Sequence, residues 1–140
     1  MPTIQAVLDI IETVAPKAWQ EGWDNTGLQV GSGDLSQREC TGVLLTVDVT
    51  EDTVREASET GTNLIISHHP LLFRGLKVIN EATSITRMVI AALQQDIVIY
   101  ASHTNIDSAP GGVNWRLAQM LGLRNTRLLV PSETENVGMG

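Results

Sequence analysis

The sequence predicts an α/β domain with a parallel-rich mixed sheet flanked by helices. Three observations predict it. Short, apolar, largely β-branched runs at Val43–Asp48, Asn63–Ser67 and Ile97–Ala101 have the length of buried strands. The segments between them carry apolar residues at helical spacing. Strands that alternate with helices build parallel sheets covered on both faces.

Taken in order, residues 4–15 place Ile4, Val7, Leu8, Ile11, Val14 and Ala15 on one helical stripe, with Thr3 as cap and Pro16 as stop. Trp19 to Gly33 is polar and glycine-rich, which predicts turns around a short extended piece at Leu28–Val30. Val43–Asp48 is the first long strand. Thr50 then caps a helix with Glu51 and Asp52 in its first turn, where the helix dipole favours them. Val54 and Ala57 face inward, and Gly61 stops that helix. Asn63–Ser67 is the second strand, and Pro70 to Asn80 is a loop. Ser84 is expected to cap a helix to about Gln95, with Ile85, Met88, Val89, Ala92 and Leu93 buried. Ile97–Ala101 is the third strand. Ser108–Gly112 reads as a turn, Val113–Leu121 as a helix ended by Gly122, and Thr126–Val130 as a last strand.

Composition bounds the function. At 140 residues, 42% hydrophobic and 18% charged, the chain suits one α/β domain over residues 1–140 with a real core. The formal net charge of −7 disfavours nucleic acid, which is bound mainly through Lys and Arg on phosphates. No apolar run approaches the roughly 18 residues needed to cross a bilayer, so no membrane partner is expected. Met1-Pro2-Thr3 begins no basic-then-apolar leader, and the single Cys40 excludes an internal disulfide. The expected location is the cytoplasm. Cys40 stands beside Arg38 and Glu39 on a polar approach to a strand and reads as an ordinary small residue rather than a nucleophile.

The chemistry concentrates where strands end. The chain has three histidines. Leu64-Ile65-Ile66-Ser67-His68-His69-Pro70 closes one strand, and Ser102-His103-Thr104-Asn105-Ile106-Asp107 follows the next. In α/β sheets ligands bind outside the carboxyl ends of the strands. Imidazoles beside a carboxylate suit zinc, iron, manganese or nickel better than calcium or magnesium. Within a regular strand His68 and His69 would face opposite ways, but past the strand end, with Pro70 next, both rings can turn to one side. Each can then serve its own ion, with Asp107 on one of them. Two ions about 3.5–4 Å apart clamp attacking and leaving oxygens and activate a shared water. His103 is the candidate catalytic residue, shuttling protons with a free pKa of about 6.5, or else supporting a ligand from behind. Asp48 is another supporting candidate, although an Asp there also suits a helix cap. Pro110-Gly111-Gly112 lacks the lysine of a phosphate loop and reads as a turn. Trp23-Asp24-Asn25 could line a pocket, while Asp and Asn in such a loop more often hold the turn.

Trp23-Asp24-Asn25-Thr26-Gly27-Leu28-Gln29-Val30-Gly31, Leu45-Thr46-Val47-Asp48-Val49-Thr50, Ile65 to Phe73 through His68-His69-Pro70, and His103 to Asp107 followed by Gly111-Gly112-Val113-Asn114 occur in this order. Together they resemble the Nif-three-like family, whose members are often labelled GTP cyclohydrolase I type 2 homologues. The resemblance covers nearly the whole chain. It implies the Nif-three-like α/β fold, a dinuclear centre of divalent zinc, manganese or iron, and ring-shaped homo-oligomers, commonly hexamers. It implies His68, His69 and Asp107 as metal ligands and a metal-dependent hydrolase of the GTP cyclohydrolase kind acting on a small nucleotide. Members of the family continue for about another hundred residues and draw a further His and Glu from a His-x-x-x-Glu motif. No histidine follows His103 here, and Asn136-Val137-Gly138-Met139-Gly140 resembles the start of a glycine-rich family motif. The expectation is therefore the N-terminal half of that fold, apparently truncated, with an incomplete and inactive site. The alternative is a metal-binding scaffold or oligomerisation module without turnover. A dinuclear phosphoesterase of the Asp-His-His kind is disfavoured, because Ser67 stands where its Asp would be.

Overall fold

A computed structural model describes residues 1–134 and 136–139. Helix α1 (Ile4–Val14) is capped by the Thr3 hydroxyl, which accepts from the Ala6 N–H. A 3-10 turn at Lys17–Trp19 leads to strand β1 (Gly27–Val30). Strand β2 (Val43–Thr46), helix α2 (Glu51–Glu59), strand β3 (Leu64–Ser67), helix α3 (Ser84–Gln94) and strand β4 (Val98–Ala101) then alternate. Helices α4 (Thr104–Ser108) and α5 (Val113–Met120) follow, and β5 (Val130–Pro131) and β6 (Gly138–Met139) pair antiparallel in a sheet of their own.

The main sheet has the order β1-β4-β3-β2. β2, β3 and β4 run parallel and β1 lies antiparallel at the edge, so the sheet is mixed and mostly parallel. Alternate residues of the strands enter two cores, as the pleat requires. Ile65, Ile99 and Val30 pack with Val54, Ala57, Met88, Val89 and Ala92 of α2 and α3. Leu64, Val98 and Tyr100 pack with Ile4 and Leu8 of α1 on the other face. β4 is buried along its whole length because both neighbours and both faces cover it.

One register matters most for function. Thr46 pairs with Ser67, and Ser67 with Ala101, so the three parallel strands end level with one another. The Thr46 hydroxyl donates to the Asp48 carbonyl and the Ser67 hydroxyl to the His69 carbonyl, each at 2.8 Å. The same two-residue hydroxyl turn therefore bends both chains as they leave the sheet.

Several expectations need correction. The regular first strand ends at Thr46, because that turn bends the backbone before Asp48. Thr83 rather than Ser84 caps α3: its hydroxyl accepts from the Thr86 N–H, and the Thr86 hydroxyl reciprocates at the cap N–H. On α3 the buried stripe is Thr86, Met88, Val89 and Ala92, while Ile85 and Leu93 flank it and stay exposed. Thr126–Val130 does not extend the main sheet. The free side of β4 is already taken by β1, and the only strand there, β5, pairs locally with β6. Asp107 and Ser108 belong to the short helix α4, not to a loop and turn. α5 forms as expected but buries none of its side chains. The run 136–140 ends in Gly140, which lies outside the described residues. No helix among the described residues is long and apolar enough to cross a membrane.

Candidate metal centre

Because β2, β3 and β4 end level, the residues just beyond them share one rim. His68 and His69 donate consecutive backbone N–H bonds to Thr46 and Val47, which breaks the alternation of a regular strand. Both rings then turn to the same side, with centroids 4.9 Å apart. His103, at the N-cap of α4, brings its ring to 5.2 Å from His68 and 5.6 Å from His69. One ring nitrogen from each of the three lies within 4.8 Å of the others. Asp107 approaches from α4, its Oδ1 3.8 Å from His68 Nε2. The four groups singled out from the strand ends are thus brought together, and Asp48 joins them from behind.

Each imidazole is held through its Nδ1. His68 Nδ1 donates to the Ser102 carbonyl at 3.1 Å, His69 Nδ1 to Asp48 Oδ1 at 2.7 Å, and His103 Nδ1 to Asp24 Oδ1 at 2.8 Å. Carbonyls and carboxylates only accept, so each ring carries a proton on Nδ1, and the neutral form of each ring has its lone pair on Nε2. This is the arrangement that orients histidine ligands in metal sites and raises their basicity.

Asp24, expected either to line a pocket or, more often, to hold a turn, orients the third imidazole. Its side chain is 0% exposed, and besides His103 it accepts from the Thr104 N–H at 3.1 Å, the Thr104 hydroxyl, the Thr26 hydroxyl at 3.1 Å and the Asn25 N–H at 2.7 Å. Burial pushes its carboxyl upward, but the hydrogen bonds from His103, Thr104 and Asn25 outweigh burial and hold it down at about 2. It stays ionised and locks the start of α4 against the loop before β1. No periodic signal marks it, since its partner His103 is 79 residues away. Asn105 braces the same corner. It is fully buried, donates to the Ala15 carbonyl at 2.7 Å, and accepts from the Thr26 and Ser102 hydroxyls at 3.3 Å.

The donor set fits a divalent transition metal: neutral imidazoles with free Nε2 and one carboxylate. Two ligands on a single zinc, each about 2.0–2.1 Å from it, can be no more than about 4.2 Å apart. A nitrogen spread of up to 4.8 Å therefore suits either a pair of ions or one ion with a small ring adjustment.

A profile of the family described as Duf34/NIF3 (NGG1p interacting factor 3) matches residues 2–140. The chain belongs to the Duf34/NIF3 family. A GTP cyclohydrolase 1 type 2 homologue of Clostridium perfringens is 39% identical over 135 residues, 96% of this chain and 50% of that protein. One from Bacillus subtilis is 40% identical over 131 residues, 94% of this chain and 34% of that protein. Among solved structures, a Bacillus cereus protein related to NIF3 superposes with a TM-score of 0.86 at 40% identity, covering 94% of this chain and 36% of the other. Reduced HcgD from Methanocaldococcus jannaschii superposes with 0.84 at 28% identity, covering 96% and 51%. This Duf34/NIF3 chain spans about half or less of the length of these relatives.

Proposed function

We propose that this chain supplies the histidine-rich half of a metal centre in a hydrolase of the GTP cyclohydrolase 1 type 2 homologue kind. The observation that carries the proposal is the triple pattern at the sheet rim: three imidazoles, each anchored at Nδ1, with one ring nitrogen of each within 4.8 Å of the others. His68 and His69 with Asp107 are the proposed ligands, for zinc, manganese or iron. A bound divalent ion there would supply Lewis acidity and an activated water.

The chain's own residues do the rest. Asp48 and the Ser102 carbonyl orient His69 and His68, and Asp24 orients His103. His103 is proposed to accept and return a proton at Nε2, because Asp24 stabilises the imidazolium that this creates. It lies close enough to the other two rings to ligate in their place, which makes it the group that tests the assignment. The family pattern brings a further His and Glu, and no histidine follows His103. The site is therefore proposed as partial, to be completed by a further segment or another copy, and negligible GTP hydrolysis is expected from this chain alone. A non-catalytic metal-binding scaffold is the second reading, favoured by three imidazoles and one carboxylate that can hold an ion by themselves.

The test is zinc and manganese titration by calorimetry with elemental analysis. Uptake at less than two ions per chain, abolished by His68→Ala or Asp107→Ala, is expected. Uptake that both variants leave intact, or no uptake at all, removes the proposal. Robust GTP turnover by the metal-loaded chain, lost in His69→Ala, would show the site to be complete and the scaffold reading wrong.

A further inference from the structure

Two large aromatic side chains stand beside the imidazole cluster and remain open to water. The Trp23 indole is 61% exposed and the Phe73 ring 50%. Their centroids are 6.1 Å apart with planes at 62°, and Trp23 meets His103 at 6.3 Å and 77°. Trp23 is thus flanked edge-to-face by two rings, one of them in the candidate centre.

The pair is held in place by polar groups at neighbouring positions. Asp24, next to Trp23, is buried under the hydrogen bonds described above. The Asn25 amide donates to the Leu72 carbonyl at 2.5 Å, and the Gln29 carbonyl oxygen accepts from the Leu72 N–H at 3.0 Å. These bonds tie the loop before β1, and β1 itself, to the loop after β3 beside both aromatics. Aromatic surface held rigid and exposed is preorganised for a ligand, since the ordering cost is met before binding. Phe73 also lines a cleft of about 610 Å³ on its side away from the imidazoles, walled by Arg74, Leu76 and Ile79 but by neither Trp23 nor the histidines. That volume suits a small molecule. Arg74 places a cation there in a chain of net charge −7.

We propose that Trp23 and Phe73 form a stacking wall that holds a planar heteroaromatic ring of the substrate against the imidazole cluster. The substrate class rests on the metal-centre reading, but the wall does not need the metal in order to bind a ring. Stacking on an aromatic side chain contributes about fivefold to a hundredfold in affinity.

Zinc-loaded chain is titrated with guanosine, adenosine and, as a control without an aromatic ring, ribose, followed by saturation-transfer NMR and calorimetry. Both nucleosides are expected to bind and ribose not to. Trp23→Leu and Phe73→Leu should each weaken nucleoside binding at least about fivefold, with zinc uptake and circular dichroism unchanged. Absence of nucleoside binding, or equal binding by the variants, overturns the proposal. Nucleoside binding that depends on Trp23 in a chain taking up no zinc keeps the wall and removes the metal reading. Zinc uptake without nucleoside binding does the reverse. If nucleosides fail to bind and the two variants lose a self-association seen by light scattering, the pair is a protein contact and the proposal falls.

Discussion

His103 Nδ1 lies 2.8 Å from Oδ1 of Asp24, a carboxylate with no exposed surface. The comparable pair, His69 with Asp48, has its carboxylate 65% exposed. A buried partner holds its ring more tightly, because water cannot replace the bond. Asp24→Asn should therefore loosen its ring more than Asp48→Asn loosens its own. With His68, His69 and Asp107 as the proposed ligands, zinc affinity should nevertheless fall about 10- to 100-fold in Asp48→Asn, which frees the ligand His69, and less in Asp24→Asn, which frees His103. Calorimetry on both variants, with circular dichroism to confirm folding, measures the difference. A larger loss in Asp24→Asn would show that His103 is itself a ligand.

Asp24 also makes the metal-free fold acid-sensitive. Its carboxyl sits at about 2, below the ordinary 3.8, so the folded state favours the ionised form. The stability this contributes is complete above about pH 4 and is lost as pH falls toward about 2. Its size is about 2 kcal/mol. Urea midpoints of metal-free protein at pH 5 and pH 2.5 should show that loss in the wild type and a smaller one in Asp24→Asn.

Asn105 is buried with both ends of its amide engaged, one to the Ala15 carbonyl and the other to two hydroxyls. Asn105→Ala would take this partner from the Ala15 carbonyl and the Ser102 hydroxyl in a dry interior, while the Thr26 hydroxyl keeps Asp24. The expected cost is about 2–3 kcal/mol, which lowers the melting temperature by roughly 10 °C. Thermal unfolding by circular dichroism checks it, and an unchanged midpoint would mean that water enters the cavity and restores the bonds.

Gly112 passes close behind α4. A Cβ there would meet the Ile106 carbonyl oxygen at 1.9 Å, a backbone atom that cannot step aside. Gly112→Ala should cost about 2 kcal/mol or more and displace Asp107, one residue beyond Ile106. Gly111→Asn, at φ 74° with no neighbour near its Cβ, should be nearly neutral, since Asn tolerates that conformation. Parallel urea unfolding and zinc titration of the two variants separates the steric effect from general loop damage.

The carboxyl-end placement of His68, His69 and His103 was legible because apolar runs of strand length stop just before each of them, whatever the rest of the chain does. Helices α1, α2 and α5 announce themselves by period and by Thr3, Thr50 and Gly122 at their ends. The expected strand from Thr126 shrinks to Val130–Pro131 and pairs with β6 rather than with the main sheet, because a short apolar run carries no information about its partner.

Local pattern, then, determined which segments become strands and helices and that every imidazole follows a strand end. Only the tertiary structure decided that the three strands finish level, that Asp24 reaches across 79 residues to orient His103, and that Trp23 stands open beside it. The physical reason is range. Side-chain periodicity records which face is dry within one element, whereas register and hydrogen bonds between distant loops depend on how the elements pack and leave no repeating mark on the chain.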